Sequence, residues 1–193
     1  MQLQLRAFAF NSIISSIRCT VYLRGNCLDT KNIYLDVCCF NRSFDDQTQE
    51  RIKLETEAIL LILKRFELGQ WQWISSETMD FEIDQTPSVE RRNRVNSLMA
   101  SSKPHLILLD NNLIKRGSEL EKKGFDAYDA LHIACAEHGQ ADVFLITDDK
   151  MCRLGNRHSQ QLNVRIENPL KWFQEVIDES TNNDIRTDTS NGN

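Results

Sequence analysis

The sequence predicts an α/β domain built on a largely parallel β-sheet. From residue 32 onward, short apolar runs alternate with longer segments of helical period, which is the pattern of β-α-β units. The composition is typical of a globular protein, with 40% hydrophobic and 26% charged residues, 7 Gly and only 3 Pro. A length of 193 residues suits one domain.

The first elements are a short strand and a long helix. Residues 33–35 form an apolar run that predicts a buried strand ending at Asp36. A helix is predicted from Asp45 or Asp46, either of which can cap it, to about Leu68, where Gly69 ends it. Four apolar residues recur at helical spacing within it: Ile59, Ile62, Leu63 and Phe66.

The same alternation continues through the middle of the chain. Residues 71–74 predict a second strand, and a helix follows from about Ser76. After Pro87 another helix is predicted, and residues 105–109 then form a third strand. Trp71 and Trp73 are two positions apart, so on a strand they share one face, which favours a place in the core.

The last predicted elements pair two helices with two strands and a final helix. Gly124 separates helices over about residues 111–123 and 126–138. Residues 143–146 form a fourth strand, and residues 163–166 a short fifth. Pro169 is well placed to open the final helix, because proline suits the first helical turn.

The two ends of the chain differ from this domain, which we assign to residues 32–177. Residues 1–31 are predicted to be an atypical N-terminal extension, since residues 1–28 contain Arg6, Arg18 and Arg24 but no acid. Residues 178–193 are polar and lack aromatic side chains, which predicts a disordered tail.

Charge and cysteine content exclude several classes of protein. With 23 Lys and Arg against 28 Asp and Glu, the net charge is −5, which argues against binding nucleic acid mainly through a large basic surface. The 6 cysteines form no C-x-x-C pair, so we expect reduced thiols and no zinc site. No run of about 18 uncharged apolar residues occurs, so we predict a cytoplasmic protein without a membrane span.

Carboxylates follow two of the predicted strands. Asp36 ends the first strand, and Asp148 and Asp149 end the fourth, at the edge where parallel sheets bind ligands. Glu82 and Asp129 lie on predicted helices. Each acid alone is explained by helix capping or a helix dipole. Together they indicate a metal site, because converging carboxylates repel one another unless a cation neutralises them, and oxygen ligands favour Mg²⁺ or Mn²⁺.

Four segments, taken together, resemble the PIN-domain ribonucleases. They are I-Y-L-D at 33–36, S-x(5)-E at 76–82, D-A-L-H-I-A-x-A at 129–136 and L-I-T-D-D at 145–149, and the resemblance covers about residues 32–175. It implies a three-layer α/β/α domain. It also implies a Mg²⁺- or Mn²⁺-dependent endoribonuclease like the toxins of bacterial toxin–antitoxin pairs.

The resemblance also implies which acids form the site. Asp36, Glu82 and Asp129 match the family's first three acids. The T-x-D spacing selects Asp149 as the fourth, with Asp148 as a neighbour that shares or replaces its role. By this resemblance all five acids are candidate metal ligands, Asp36 and Asp149 hold the ion most directly, and Glu82 and Asp129 complete the shell or orient water.

One position departs from the family pattern. Thr147 matches the hydroxyl that supports water or metal, but Cys38 stands where many relatives have a small hydroxyl or amide residue. Asn41 or Arg42 is then expected to make that polar contact. His132 lies on the same helical face as Asp129, and we favour a packing or supporting role over that of a general base.

The expected partners follow from the same resemblance. They are an RNA substrate, a small antitoxin and a second copy of the chain in a homodimer. Basic side chains are candidates for RNA backbone contacts, with a solvated helix surface as the alternative: Arg91, Arg92, Arg94, Lys115, Arg116, Lys122 and Lys123. The alternative function is a PIN-like module that is catalytically weak or silent and acts by binding protein or RNA.

Overall fold

The computed structural model describes residues 30–101 and 104–190. Nearly all of the predicted N-terminal extension and the last three residues of the predicted tail therefore lie outside the described residues. Within the described ranges, no helix is long and apolar enough to cross a membrane.

A five-stranded, all-parallel sheet organises the described residues and confirms the predicted α/β class. The strands are β1 Asn32–Leu35, β2 Gln72–Ser76, β3 His105–Ile107, β4 Val143–Leu145 and β5 Arg165–Glu167, in the order β3-β2-β1-β4-β5. β1 is central, and its Tyr34 lies opposite Ile74 on one side and Phe144 on the other. Because every strand runs the same way, their carboxyl ends meet at one edge of the sheet.

Eight helices connect the described strands and complete the α/β/α arrangement. They are α1 Val37–Asn41, α2 Glu50–Glu67, α3 Glu77–Asp84, α4 Val89–Ser101, α5 Asn111–Glu121, α6 Ala127–His138, α7 Asp149–Arg157 and α8 Pro169–Ser190. The four apolar residues predicted to line α2 are all buried, which confirms the orientation of that helix.

Apolar side chains from both sides of the sheet form the core. All three β1 residues from Ile33 to Leu35 are fully buried. Trp73 contacts the rings of Phe40 and Phe66. Trp71 instead packs against Trp172 and Phe173 of α8. Both tryptophans therefore fill the core, as predicted.

The structure differs from the sequence prediction at two places, and it also gives the extent of the last helix. α1 follows β1 directly and was not predicted, since five residues are too few for a helical period to show. α2 begins at Glu50, because Asp46 accepts hydrogen bonds from Thr48 in a turn before the helix. The backbone of residues 178–190 continues α8, because extending an existing helix requires no new nucleus.

Candidate metal centre

Asp36 is placed at the carboxyl edge of the sheet by both the strand and the helix beside it. Its backbone N–H donates to the carbonyl of Leu145 in β4 at 3.0 Å. Its carboxylate Oδ1 accepts the backbone N–H of Cys38 at 2.8 Å and so caps α1. The side chain is buried, and this burial raises the pKa of Asp36 despite the nearby His132.

Glu82 of α3 and His132 of α6 meet Asp36 at this edge. The His132 Nε2 atom lies 2.9 Å from Glu82 Oε2, and one ligand atom from each of the three residues lies within 4.8 Å of the others. Adjacent ligands of an octahedral ion at about 2.1 Å are about 3 Å apart, so the separation of Nε2 and Oε2 fits coordination as well as hydrogen bonding. These three side chains could hold a metal ion.

A buried chain of hydroxyl groups supports His132 from the other side. The Tyr34 hydroxyl lies 2.7 Å from His132 Nδ1 and 2.5 Å from Ser76 Oγ, which also accepts the Met79 N–H. Because hydroxyls both donate and accept, the Tyr34 contact can support either His132 tautomer. If an ion took the place of the Nε2 proton that Glu82 accepts, Nδ1 would carry the remaining proton and donate it to the Tyr34 hydroxyl.

The charges around His132 oppose the effect of burial on its pKa. Burial is the largest single influence and lowers the pKa of His132, but the hydrogen bond to Glu82 and the charges of Asp36, Glu82 and Asp129 together raise it above the usual value. The histidine thus lies in a strongly negative environment. Such an environment attracts a cation of any kind.

Asp129 belongs to this negative environment through its charge. Burial and then the charge of Asp36 raise the pKa of Asp129 to about 6, and Asp126 and Asp148 add to the rise. Asp148 is exposed and caps α7, where its Oδ1 accepts the backbone N–H groups of Lys150 and Met151. The structure therefore places Asp129 and Asp148 within electrostatic reach of one another.

Asp149 forms an ion pair with an arginine of α2. Its carboxylate oxygens accept two hydrogen bonds from the Arg51 guanidinium, at 2.5 and 2.7 Å. This pairing lowers the pKa of Asp149, and about half of its side chain is exposed. Within the described residues, Asp149 is not part of the three-residue cluster. The fourth-acid role predicted for Asp149 stays a prediction, as does the alternative that Asp148 shares or replaces it.

Cys38, the position that departs from the family pattern, makes polar contacts with Thr147. The Cys38 Sγ atom accepts the Thr147 hydroxyl at 3.1 Å and the Thr147 backbone N–H at 3.3 Å. The thiol therefore holds β4's end against α1, and Thr147 is buried behind it. The four cysteines that the structure describes are free.

Asn41 and Arg42, the alternatives to Cys38, have different surroundings. The Asn41 Oδ1 atom is buried and has no hydrogen-bond partner among the described residues. Arg42 Nε lies 2.7 Å from Glu55 Oε2 in an ion pair, and another Arg42 nitrogen donates to the Thr147 carbonyl at 3.5 Å. Arg42 therefore links α2 to the end of β4.

Two residues matter more in the structure than the sequence suggested. His132 is a member of the cluster itself, and its only sequence signal was its place three residues after Asp129. Glu55 is fully buried in α2 and contacts Arg42, Arg51 and Asn168. Its signal was an acid on the apolar face of α2, four residues before Ile59.

Several of the basic candidates for RNA contacts are engaged within the protein. Arg116 makes a bidentate pair with Glu137 and donates to the Gln161 carbonyl. Lys123 also contacts Gln161. The guanidinium groups of Arg91 and Arg94 lie over the Phe44 ring, at 5.8 and 5.6 Å from its centroid. Arg92 donates to the carbonyl of residue 84.

Comparison with known proteins adds no relative to this description. A scan against protein-family models and a search of curated proteins each returned no match. Any functional assignment therefore rests on the residues and geometry of the cluster.

Proposed function

We propose that this chain is a metal-dependent endoribonuclease of the PIN-domain type, which hydrolyses RNA phosphodiester bonds. The observation that carries the proposal is the meeting of Asp36, Glu82 and His132, with Asp129 in electrostatic reach, at the carboxyl edge of an all-parallel sheet. Three of these residues are acids from segments that resemble the family. An acidic cluster at this edge suits a cation and the phosphate that the cation binds.

Mg²⁺ or Mn²⁺ is the ion that we assign to this cluster. A carboxylate set suits Mg²⁺, and addition of the His132 imidazole shifts the preference toward Mn²⁺. A bound ion of this kind lowers the pKa of water and neutralises charge that develops on the phosphate oxygens. Asp36, Glu82 and His132 would hold the ion, and Asp129 would orient the attacking water.

The test is cleavage of an end-labelled RNA by purified protein with and without divalent ions. We expect Asp36→Asn to lower the cleavage rate by about 100-fold or more, because one buried ligand charge is lost, and excess EDTA to abolish cleavage. Asp178→Asn is the matched control, since this exposed acid lies on α8. Equal cleavage by wild type and Asp36→Asn, or cleavage in EDTA, would contradict the proposal.

The second candidate is a PIN-like module that binds RNA or protein without cleaving it. The Arg51–Asp149 pair favours this alternative, because it neutralises the acid that the family pattern selects as the fourth. A protein of this kind shows no thermal shift with Mg²⁺ or Mn²⁺ and no metal-dependent cleavage, yet retains RNA or protein binding. A toxin role, an antitoxin partner and a homodimer stay predictions.

A further inference from the structure

Two half-exposed aromatic rings lie beside the cluster of Asp36, Glu82 and His132. Phe81 of α3 and Tyr128 of α6 are 52% and 49% exposed. Their rings are stacked, with centroids 6.2 Å apart and planes inclined by 20°. They immediately precede Glu82 and Asp129 in the sequence.

The ring pair and the cluster bridge the same two helices. Glu82 of α3 contacts His132 of α6, and Phe81 of α3 contacts Tyr128 of α6. Because residues four apart lie on one helical face, Tyr128 is about one turn of 5.4 Å from His132. His132 is buried and Tyr128 is exposed, so the rings lie on the solvent side of the cluster.

The exposure of these rings is unusual among the ring pairs that the structure describes. Every other described pair of aromatic rings has at least one buried member, such as Trp71 with Trp172 or Tyr34 with Phe144. α3 buries its core-facing residues, including Met79 and Ile83, away from Phe81. The Phe81–Tyr128 pair therefore presents apolar ring surface to solvent beside the cluster.

The charge of the protein makes such a surface useful for an RNA ligand. The chain carries a net charge of −5, and the cluster itself is acidic, so phosphates approaching it are repelled until an ion is present. Base stacking on an aromatic ring does not depend on positive charge and strengthens binding about fivefold to 100-fold per base. Stacking thus supplies affinity that does not depend on basic groups.

We propose that Phe81 and Tyr128 stack on an unpaired RNA base next to the phosphodiester that is cleaved. This inference rests on the proposed function, because it assigns the rings to the substrate of that site. A base in a duplex has both faces covered by its neighbours, so the stacked nucleotide is single-stranded. The pair positions the strand and does not take part in proton transfer or metal binding.

The test compares steady-state cleavage of a short unstructured RNA by wild type and ring variants. We expect Phe81→Ala and Tyr128→Ala each to raise KM about fivefold or more with kcat within about twofold, because the rings act in binding. Tyr128→Phe keeps the ring and is expected to match wild type. Leu61→Ala, an exposed apolar residue on α2, is the control for loss of surface area.

A second substrate locates the contact. The same RNA with an abasic nucleotide beside the cleaved bond is expected to raise KM for wild type but not for the double variant Phe81→Ala/Tyr128→Ala. The thermal shift with Mn²⁺ is expected to be equal in all variants, since the cluster is intact. Unchanged KM values in both alanine variants would overturn the proposal. The proposal would also be overturned if the double variant lost a dimer while its KM stayed unchanged.

The failure of this inference is distinguishable from failure of the proposed function. If wild type binds Mn²⁺ but leaves the RNA intact, the nuclease proposal fails, and the affinity of the same RNA for wild type and the alanine variants tests the stacking directly. Affinity that falls about fivefold or more in the variants supports the stacking role. Equal affinity, or no RNA binding by wild type, refutes it.

Discussion

Removal of one buried hydroxyl tests the hydrogen-bond chain that supports the cluster. Tyr34→Phe keeps the ring in the core but deletes the oxygen that lies between His132 Nδ1 and Ser76 Oγ, at 2.7 and 2.5 Å. Ser76 retains the Met79 N–H as a partner. His132 Nδ1 has no other partner among the described hydrogen bonds and is left buried without one.

The expected magnitude follows from these contacts. Each net hydrogen bond contributes about 1 kcal/mol, and a buried polar nitrogen left unpaired costs a further 1–2 kcal/mol or so. Tyr34 is fully buried, so water cannot replace the lost contacts at the surface. We therefore expect the free energy of unfolding to fall by about 2–4 kcal/mol.

Urea denaturation followed by circular dichroism measures this change, and the matched control is Tyr128→Phe. The Tyr128 hydroxyl belongs to a half-exposed side chain, so its removal is expected to change the free energy of unfolding by less than about 0.5 kcal/mol. Nitrogen NMR of His132 reports whether the tautomer changes with the hydroxyl. A Tyr34→Phe protein as stable as wild type would refute the reasoning, because the buried chain would then carry no net stabilisation.

Three other substitutions test separate parts of the structure. Burial is the largest single influence on the pKa of Glu167 and raises it, but the contacting lysine and arginine lower this pKa overall. The carboxylate therefore stabilises the fold at pH values above its unfolded pKa of about 4.3. This stabilisation is lost as the pH falls through the folded pKa. Glu167→Gln is expected to reduce stability by about 1–2 kcal/mol at pH 7 and by less below about pH 4, in urea titrations at both pH values. Gly155→Ala is expected to cost about 1–3 kcal/mol on denaturation, because the new methyl would lie 2.8 Å from Ile166 Cβ, which the strand holds in place. Arg51→Gln releases Asp149 and is expected to lower the Mn²⁺ concentration at half-maximal thermal shift about two- to fivefold.

Each of these substitutions has a matched control. Glu179→Gln removes an exposed carboxylate on α8, and equal pH dependence of Glu167→Gln and Glu179→Gln would contradict the first expectation. The methyl group added by Gly117→Ala would lie against the flexible end of the Leu131 side chain, so this substitution is expected to cost less stability than Gly155→Ala. Lys64→Gln removes one positive charge at the other end of α2, and an equal shift in Mn²⁺ response would show that Arg51 acts only through net charge.

The strands and long helices were predictable because their signals are local. The apolar run at residues 33–35 becomes the central strand β1, and the recurring residues of α2 from Ile59 to Phe66 face the core. Asp36 was placed correctly at a strand end because it follows that run directly. Short-range periodicity and burial carry this information within a few neighbouring residues.

The contacts around the cluster were not predictable in the same way. His132 was expected to pack or to support the site, but its contact with Glu82, fifty residues away in the chain, was not predicted. Asp149 matched the family spacing, but Arg51 of α2 holds its carboxylate. Both outcomes depend on which helix faces which, and no local pattern carries that choice.

By itself, the sequence determined the α/β class, the order of the strands along the chain, and which acids end strands or lie on helices. These properties depend on apolar periodicity, turn residues and capping chemistry, which act over a few residues. Only the tertiary structure decided that His132 joins Asp36 and Glu82, that Cys38 takes the Thr147 hydrogen bonds and that Asp149 pairs with Arg51. These contacts join distant segments, and their geometry depends on how helices pack against the sheet and on which polar partner each buried group finds there.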